Sequence, residues 1–272
     1  MPIGAIFREG GSFKLIPDPV LFSWGPFTVR WYGVLIVLGM VIAVILGLRE
    51  TRRRALSEDH LLNMAMVALP AGVVGARLYY VAFNWSYFQA HPTKIIATWE
   101  GGLAIHGGLI VGALVFMIMA RRYRFGVTNI LDIAAPSVAL AQSIGRWGNY
   151  INQEAYGYVV SKAEVPWAMM IDGAYRHPTF LYESVWDLLL FGFLLWFRRR
   201  RRVLPGDTAL MYVLLYSAGR VVIEGFRTDS LMLGSWRVAQ LVSVAGILFA
   251  LIALWYRHDR ENKMGGRIDS VR

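Results

Sequence analysis

The sequence predicts an all-α, polytopic integral membrane protein with seven transmembrane helices. Three features carry that prediction. Apolar residues make up 56% of the 272, and charged residues only 17%, where a soluble domain usually has about 25% charged. Ten tryptophans and thirteen tyrosines suit the two membrane–water interfaces. The apolar residues also come in runs of about twenty, the length a helix needs to cross the hydrocarbon core.

Seven such runs span residues 29–48, 60–83, 102–120, 128–145, 179–197, 207–226 and 235–256. The first, third, fifth and seventh read as strongly apolar; residues 187–197 of the fifth are DLLLFGFLLWF. The second contains Arg77, the fourth Asp132 and Pro136, and the sixth Arg220 and Glu224. An ionisable side chain at the bilayer centre costs about 2.5–3.5 kcal/mol on insertion scales, so it faces protein or a wet cavity. Taken singly, Arg77 and Asp132 read as structural ion-pair residues or snorkelling side chains.

Basic residues orient the spans. Arg49 and Arg52 to Arg54 follow the first span, Arg121, Arg122 and Arg124 the third, Arg198 to Arg202 the fifth, and Arg257, Arg260 and Lys263 the seventh. Between spans two and three Lys94 stands alone. The side rich in Lys and Arg is cytoplasmic by the positive-inside rule, which places the N-terminus outside and the C-terminus inside. The chain then reads as a single membrane domain without internal repeats. Residues 146–178, the longest outside connection, form a small extracytoplasmic subdomain, and residues 257–272 a polar cytoplasmic tail. The first 30 residues lack the basic region and uninterrupted apolar stretch of a cleavable signal peptide.

The net charge of +10 does not indicate nucleic acid. The arginines are clumped between apolar runs, and no zinc-finger, P-loop or RNA-binding signature is present. The absence of cysteine excludes disulfides, thiolate metal sites and a cysteine nucleophile in the chain itself. No His/Asp/Glu grouping has metal-ligand spacing, and no cofactor is expected.

The polar residues that remain gather toward one leaflet. Arg220, Glu224 and Arg227 are spaced i, i+4 and i+7, and so share a helix face. Span six runs outward toward them. Arg146 closes span four on the outside, where SIGRWGNYINQEAYG (143–157) packs Arg146, Asn149, Asn152, Gln153 and Glu154 into nine positions. His106 begins span three and Tyr32 span one, both from the outside. Arginine matches phosphate oxygens with two prongs and stays charged in a low dielectric. Histidine titrates near neutrality, and glycines such as Gly107, Gly108 and Gly148 permit close backbone approach. These residues describe an outer-leaflet site for a phosphate-bearing membrane lipid, without specifying a reaction.

GRWGNYINQEAYG (145–157) closely resembles the signature of the bacterial prolipoprotein diacylglyceryl transferases, with Arg146, Asn149, Asn152, Glu154 and Gly157 at signature positions. Tyr150 stands where Phe is common. The similarity extends in order through WYG (31–33), HGGL (106–109), RHPTFLYE (176–183) and IEGFR (223–227), with Gly225 where that family often has an aromatic. The resemblance implies an enzyme of the bacterial cytoplasmic (inner) membrane catalysing the first step of lipoprotein maturation. It would transfer the diacylglyceryl group of phosphatidylglycerol to the lipobox cysteine thiol of a preprolipoprotein, forming a thioether and releasing glycerol phosphate. It implies His106, Arg146 and Arg220 as catalytic residues, with Arg146 clamping the lipid phosphate and His106 activating the thiol. Arg146, Tyr32, Asn149, Glu154, Gly157, Tyr216, Glu224 and Arg227 would bind substrate, with the amides and Glu154 holding the Arg146 guanidinium. The alternative class is a transporter or flippase of an anionic lipid or solute, which predicts charges spread through the membrane depth and internal symmetry.

Overall fold

The computed structural model describes residues 6–9, 12–15, 18–25 and 27–269. Hairpins β1 (Ile6–Glu9)–β2 (Ser12–Leu15) and β3 (Val20–Trp24)–β4 (Phe27–Arg30) precede helices α1 (Trp31–Arg53), α2 (Glu58–Phe83), the single turn α3 (Trp85–Phe88), α4 (Ile105–Arg122) and α5 (Val127–Ile151). Hairpin β5 (Met169–Ile171)–β6 (Ala174–Arg176) follows, then α6 (Thr179–Phe197), α7 (Asp207–Glu224), hairpin β7 (Met232–Leu233)–β8 (Trp236–Arg237) and α8 (Val238–Asp269). The described residues fall into two compact units, Met1–Ile133 and Ala134–Arg272, whose boundary lies within α5.

Six helices are long and apolar enough to cross a membrane: Trp31–Arg53, Glu58–Phe83, Ile105–Arg122, Val127–Ile151, Thr179–Phe197 and Val238–Lys263. The protein is therefore a multi-pass membrane protein built on helices. The remaining expected span, α7, is a helix where the sequence placed one, but Asp207, Arg220 and Glu224 give its 18 residues too much charge to qualify by composition. Four two-stranded hairpins accompany the helices, two before α1, one between α5 and α6 and one between α7 and α8. One was legible. Asp172-Gly173, with φ of +49° and +76°, is the two-residue turn that favours a hairpin, and it sits between MMI and AYR. Helix α5 continues past residue 145 to Ile151, so the Arg146 segment is helical. Helix α8 likewise continues beyond Tyr256 into the polar tail.

In the first unit α2 and α4 touch through a seam of glycine. A Cβ on Gly75 would stand 2.4 Å from the Val111 Cβ and 2.7 Å from the Gly107 carbonyl oxygen; one on Gly107 would stand 2.3 Å from the Tyr79 Cβ. Membrane helices gain most of their association from such close packing, because lipid is as apolar as their side chains. Gly107 and Gly108 therefore make room for a helix, not for a ligand as the sequence suggested. Below the seam, Leu61, Met64, Ala120, Phe125, Ile130 and Ile133 form a core.

Two helix ends lead the chain into that core. Ala55 and Arg124, each with φ +54°, take the left-handed position that usually belongs to glycine. The N–H groups of Leu56 and Phe125 then bond back to Thr51 O (3.0 Å) and Ala120 O (2.8 Å), a six-residue closure that turns both side chains onto the core. Beside them the buried Glu50 accepts hydrogen bonds from Arg53 and Arg54, and Arg54 lies 3.5 Å from the buried Asp132. Asp132 is thus held in an ionic cluster, as its structural reading anticipated. Arg77 departs from that reading. Its guanidinium donates to the carbonyls of Lys94, Ile95, Ala97, Gly101 and Gly102 at 2.5–3.3 Å and stacks against Phe88. It binds loop backbone in place of a carboxylate.

In the second unit Ala135, Ala139, Leu190 and Leu194 form the core, with Phe191, Tyr212, Leu215 and Tyr216 packed against it. Ser143 and Ser184 each donate their hydroxyl to the other's carbonyl, at 2.8 and 2.9 Å, tying α5 to α6. Gly219 lets the Trp186 indole lie against α7, where it donates to Leu215 O at 3.0 Å. At the first turn of α7 the buried Asp207 accepts from the Leu204 N–H, which holds the preceding loop, and it also receives Arg257 and His258 from α8.

Candidate active site

Three helices of the second unit bring charge together at neighbouring ends. Arg146 stands five residues before the end of α5, Glu183 in the second turn of α6, and Arg220 and Glu224 in the last turns of α7, with Arg227 just beyond. Glu183, only 4% exposed, is the hub. Its Oε2 receives Arg146 Nη2 at 2.7 Å, and its Oε1 receives Arg220 Nη1 at 3.0 Å and Arg227 Nη1 at 3.1 Å.

Two further carboxylates complete the cluster. Glu224, 2% exposed, lies 2.6 Å from Arg220 Nη2 and 3.8 Å from Arg227 Nε. Asp229 is chelated by Arg227 through Nε at 3.0 Å and Nη2 at 2.7 Å. Burial disfavours the Arg227 charge, yet the Asp229 and Glu183 carboxylates outweigh it and hold that guanidinium above its ordinary range. Three guanidiniums thus face three carboxylates. Arg146 has the fewest partners: Glu183 is its one carboxylate, and its buried Nε–H has no hydrogen-bond acceptor among the described residues. A buried N–H without a partner is costly, and an arriving anion would satisfy it.

Arg227 owes its position to Gly157. The Gly157 N–H donates to His177 O, and the Tyr158 N–H to Phe226 O, both at 3.1 Å, while Thr228 donates to Tyr156 O from its N–H (3.3 Å) and its hydroxyl (3.0 Å). A Cβ on Gly157 would fall 2.6 Å from the His177 Cβ and 2.9 Å from both the His177 and Phe226 carbonyl oxygens. Only glycine passes between these two backbones, and the Gly157–Arg227 bridge fixes the arginine's place. Close backbone approach is the role the sequence assigned to glycine; here the neighbour is protein.

The amides do not act as expected. Glu154 Oε1 receives both Asn149 Nδ2 and Asn152 Nδ2 at 3.1 Å, so the Arg146 guanidinium takes its carboxylate from Glu183 and not from Glu154. Gln153, at φ +54°, terminates α5: its N–H bonds Tyr150 O and the Glu154 N–H bonds Asn149 O, the pairing of a left-handed helix cap. Its side chain donates to Tyr150 O at 2.7 Å and accepts from the Asp172 N–H at 2.9 Å, which holds the helix end to the β5–β6 hairpin.

Tyr216 stacks on Tyr212 at 5.6 Å and lines a small cavity with Glu183, Trp186, Asp187, Arg220 and Ile223. The structure therefore gathers Arg146, Arg220, Glu224 and Arg227, with Tyr216 alongside. Tyr32 and His106 belong to the first unit. Tyr32 is the second residue of α1; His106 is exposed in the first turn of α4, 6.2 Å from the Tyr79 ring. The chain entering α4 is pinned by the Arg77 bonds to Gly101 and Gly102 and by the Ala104 N–H to Ala76 O.

Sequence reasoning missed the roles of Glu183 and Asp187, and for Arg77 it missed the loop carbonyls as partners. The first two had a signal: two acids four residues apart, at the end of RHPTFLYE, in a span read as strongly apolar. No group of three or more His, Asp or Glu among the described residues is placed to hold a metal ion.

Removing the hub tests its role in assembly. Breaking a buried ion pair by deleting one partner typically costs about 3–5 kcal/mol. Glu183→Ala should therefore lower the thermal midpoint in detergent strongly. Glu183→Gln, which keeps the shape and one acceptor oxygen, should lower it less. Equal midpoints for wild type and Glu183→Ala, followed by tryptophan fluorescence, would show that the cluster holds without it.

Known proteins match this chain along most of its length. A family model described as prolipoprotein diacylglyceryl transferase matches residues 19–256. A phosphatidylglycerol–prolipoprotein diacylglyceryl transferase of Streptococcus agalactiae is 46% identical over 251 residues, covering 90% of this chain and 98% of the relative. One of Streptococcus equi subsp. zooepidemicus is 46% identical over 90% of this chain and 96% of its own. One of Limosilactobacillus reuteri is 44% identical over 92% and 94%. With matches of this identity spanning nearly the whole of both partners, the chain belongs to the prolipoprotein diacylglyceryl transferase family.

Proposed function

We propose that this chain transfers the diacylglyceryl group of phosphatidylglycerol to the lipobox cysteine of a preprolipoprotein. The single observation that supports this most is the convergence of three arginines on Glu183, with a buried Arg146 N–H still lacking an acceptor. The substrate's thiol sulfur attacks the glycerol carbon bonded to the phosphate oxygen. A sulfur–carbon bond forms and the carbon–oxygen bond breaks, its electron pair leaving on glycerol phosphate. The departing oxygen gains negative charge, so guanidiniums already in place stabilise the transition state more than the ground state. Arg146 and Arg220 carry that role, Arg227 and Glu224 set the spacing, and Tyr32, Tyr216 and Asn149 orient the headgroup. A thiol of pKa about 8.5 is mostly protonated at neutral pH; His106 takes its proton. The transport reading is less well supported, since Arg146, Glu183, Arg220 and Glu224 lie near matching ends of α5, α6 and α7 rather than along their length.

The proposed membrane arrangement has the N-terminus outside, the C-terminus and arginine clumps at the cytoplasmic face of the bacterial inner membrane, and residues 146–178 with the site toward the outer leaflet. In it α7 is the sixth of seven spans, crossing with Arg220 and Glu224 neutralised by each other and by Glu183. The native chain has no thiol, so Arg200→Cys carries the only one. An impermeant thiol reagent applied from outside should leave it unlabelled; labelling would contradict the orientation.

Purified protein supplied with labelled phosphatidylglycerol and a lipobox peptide should yield the thioether-linked product. Arg146→Lys and Arg220→Lys should each lose most activity while inserting normally, because lysine keeps the charge but lacks the planar fork. His106→Gln should lose more than tenfold at neutral pH, since general acid–base catalysis is typically worth about 10²–10⁴-fold, with the deficit shrinking as pH rises toward the thiol pKa. Lipid movement without product would favour transport.

A further inference from the structure

Asp187 is the buried acid that the arginine cluster leaves over. It lies one helical turn beyond Glu183 on the same face of α6 and is 2% exposed. Its Oδ2 has no hydrogen-bond partner, and no cation pairs with it among the described residues. It shares a small cavity with Glu183, Trp186, Tyr216, Arg220 and Ile223. The charges that act on it come from each packed element: Arg146 from α5, Glu183 from its own helix and Arg220 from α7, with the Tyr212 and Tyr216 hydroxyls beside it. Beyond these, Glu224, Arg227 and Asp229 close the cluster.

The charge balance of the site is informative. Arg146, Arg220 and Arg227 are matched by Glu183, Glu224 and Asp229. Arg237 of β8, which donates to the Glu224 carbonyl oxygen, offsets Asp187 as a carboxylate, so a phosphodiester entering among the arginines brings the unmatched negative charge. Like charges crowded into a site of low dielectric favour the neutral form of one of them. The buried acid with an oxygen that no donor reaches loses least by becoming neutral. Among the residues that line the same cavity, Glu183 and Tyr216 carry groups able to accept from a protonated carboxyl.

We propose that Asp187 is the proton-holding group of this site, taking up a proton from water as the lipid phosphodiester enters the arginine cluster, so that lipid binding and proton uptake are coupled. The proposal rests on the transferase reading above, which supplies the phosphodiester. It assigns Asp187 a role distinct from that of His106, which deals with the thiol: Asp187 sets the charge of the phosphate pocket.

The test is calorimetric titration of the full-length protein in detergent with a soluble short-chain phosphatidylglycerol, in two buffers of different ionisation enthalpy. Wild type should take up about one proton per lipid bound, and its affinity should fall by up to about tenfold per pH unit where that uptake is complete. Asp187→Asn should still bind, with the uptake lost and the pH dependence flattened. Asp187→Asn taking up protons as wild type does would overturn the proposal. A second measurement needs no variant. The infrared difference spectrum of wild type on lipid addition should gain a protonated-carboxyl band that shifts when aspartate is carbon-13 labelled; a band insensitive to that label excludes Asp187. Failure of the wild-type protein to bind the lipid at all would instead overturn the transferase reading, and this proposal with it.

Discussion

One carboxylate, Glu183, holds three guanidiniums from three parts of the second unit. Without it, Arg146, Arg220 and Arg227 would repel one another in an environment that screens charge poorly. Because both oxygens of Glu183 are engaged, at 2.7–3.1 Å, the positions of α5, α6 and the end of α7 are set together. The rest of the unit follows from this. The Ser143–Ser184 exchange aligns α5 with α6 one turn away, Gly219 lets Trp186 close α6 onto α7, and Gly157 threads the strand that places Arg227. Buried charge in apolar surroundings is tolerable only with such partners.

The first unit solves a different problem with different means. Its two main helices approach through glycine, so they meet backbone to backbone, and polar contacts appear where the chain leaves the helices. Arg77 holds five loop carbonyls from within α2, fixing the segment that leads to His106. At the arginine-rich end, Glu50 and Asp132 collect Arg53 and Arg54. In both units, buried charge is used to fix chain geometry, and in the second that geometry is also what an anionic headgroup requires.

Much of this was legible in the sequence. Hydrophobic runs located every long helix, because the length of a membrane span is set by the bilayer, but they missed the polar extensions of α5 to Ile151 and of α8 to Asp269. The i, i+4 spacing of Arg220 and Glu224 put them on one face of α7, while Arg227, expected on the same face, lies past the helix end and joins them through the Gly157 bridge. Less legible was pairing across the sequence. Glu183 is 37 residues from both Arg146 and Arg220, and no local pattern tells which carboxylate an arginine will choose. Glu154 was the nearest acid to Arg146 in sequence, but the cap at Gln153 turns the chain there and leaves Glu154 to Asn149 and Asn152. The helix ends at Ala55, Arg124 and Gln153 were also hidden, since each uses a residue other than glycine in a left-handed conformation. The glycines of α4 carried a true signal, close approach, whose partner only the fold could identify.

The central claim is that Glu183 couples the arginines, and a mutant cycle tests it most directly. Transfer rates for Arg146→Lys, Arg220→Lys and the double variant give their interaction energy, first with Glu183 present and then in a Glu183→Gln background. Residues sharing one ion-pair network typically couple by about 0.5–3 kcal/mol. The account predicts coupling in that range with Glu183 present and a collapse toward additivity without it. Effects that add in the native background, or coupling that persists unchanged when Glu183 is replaced, would contradict it.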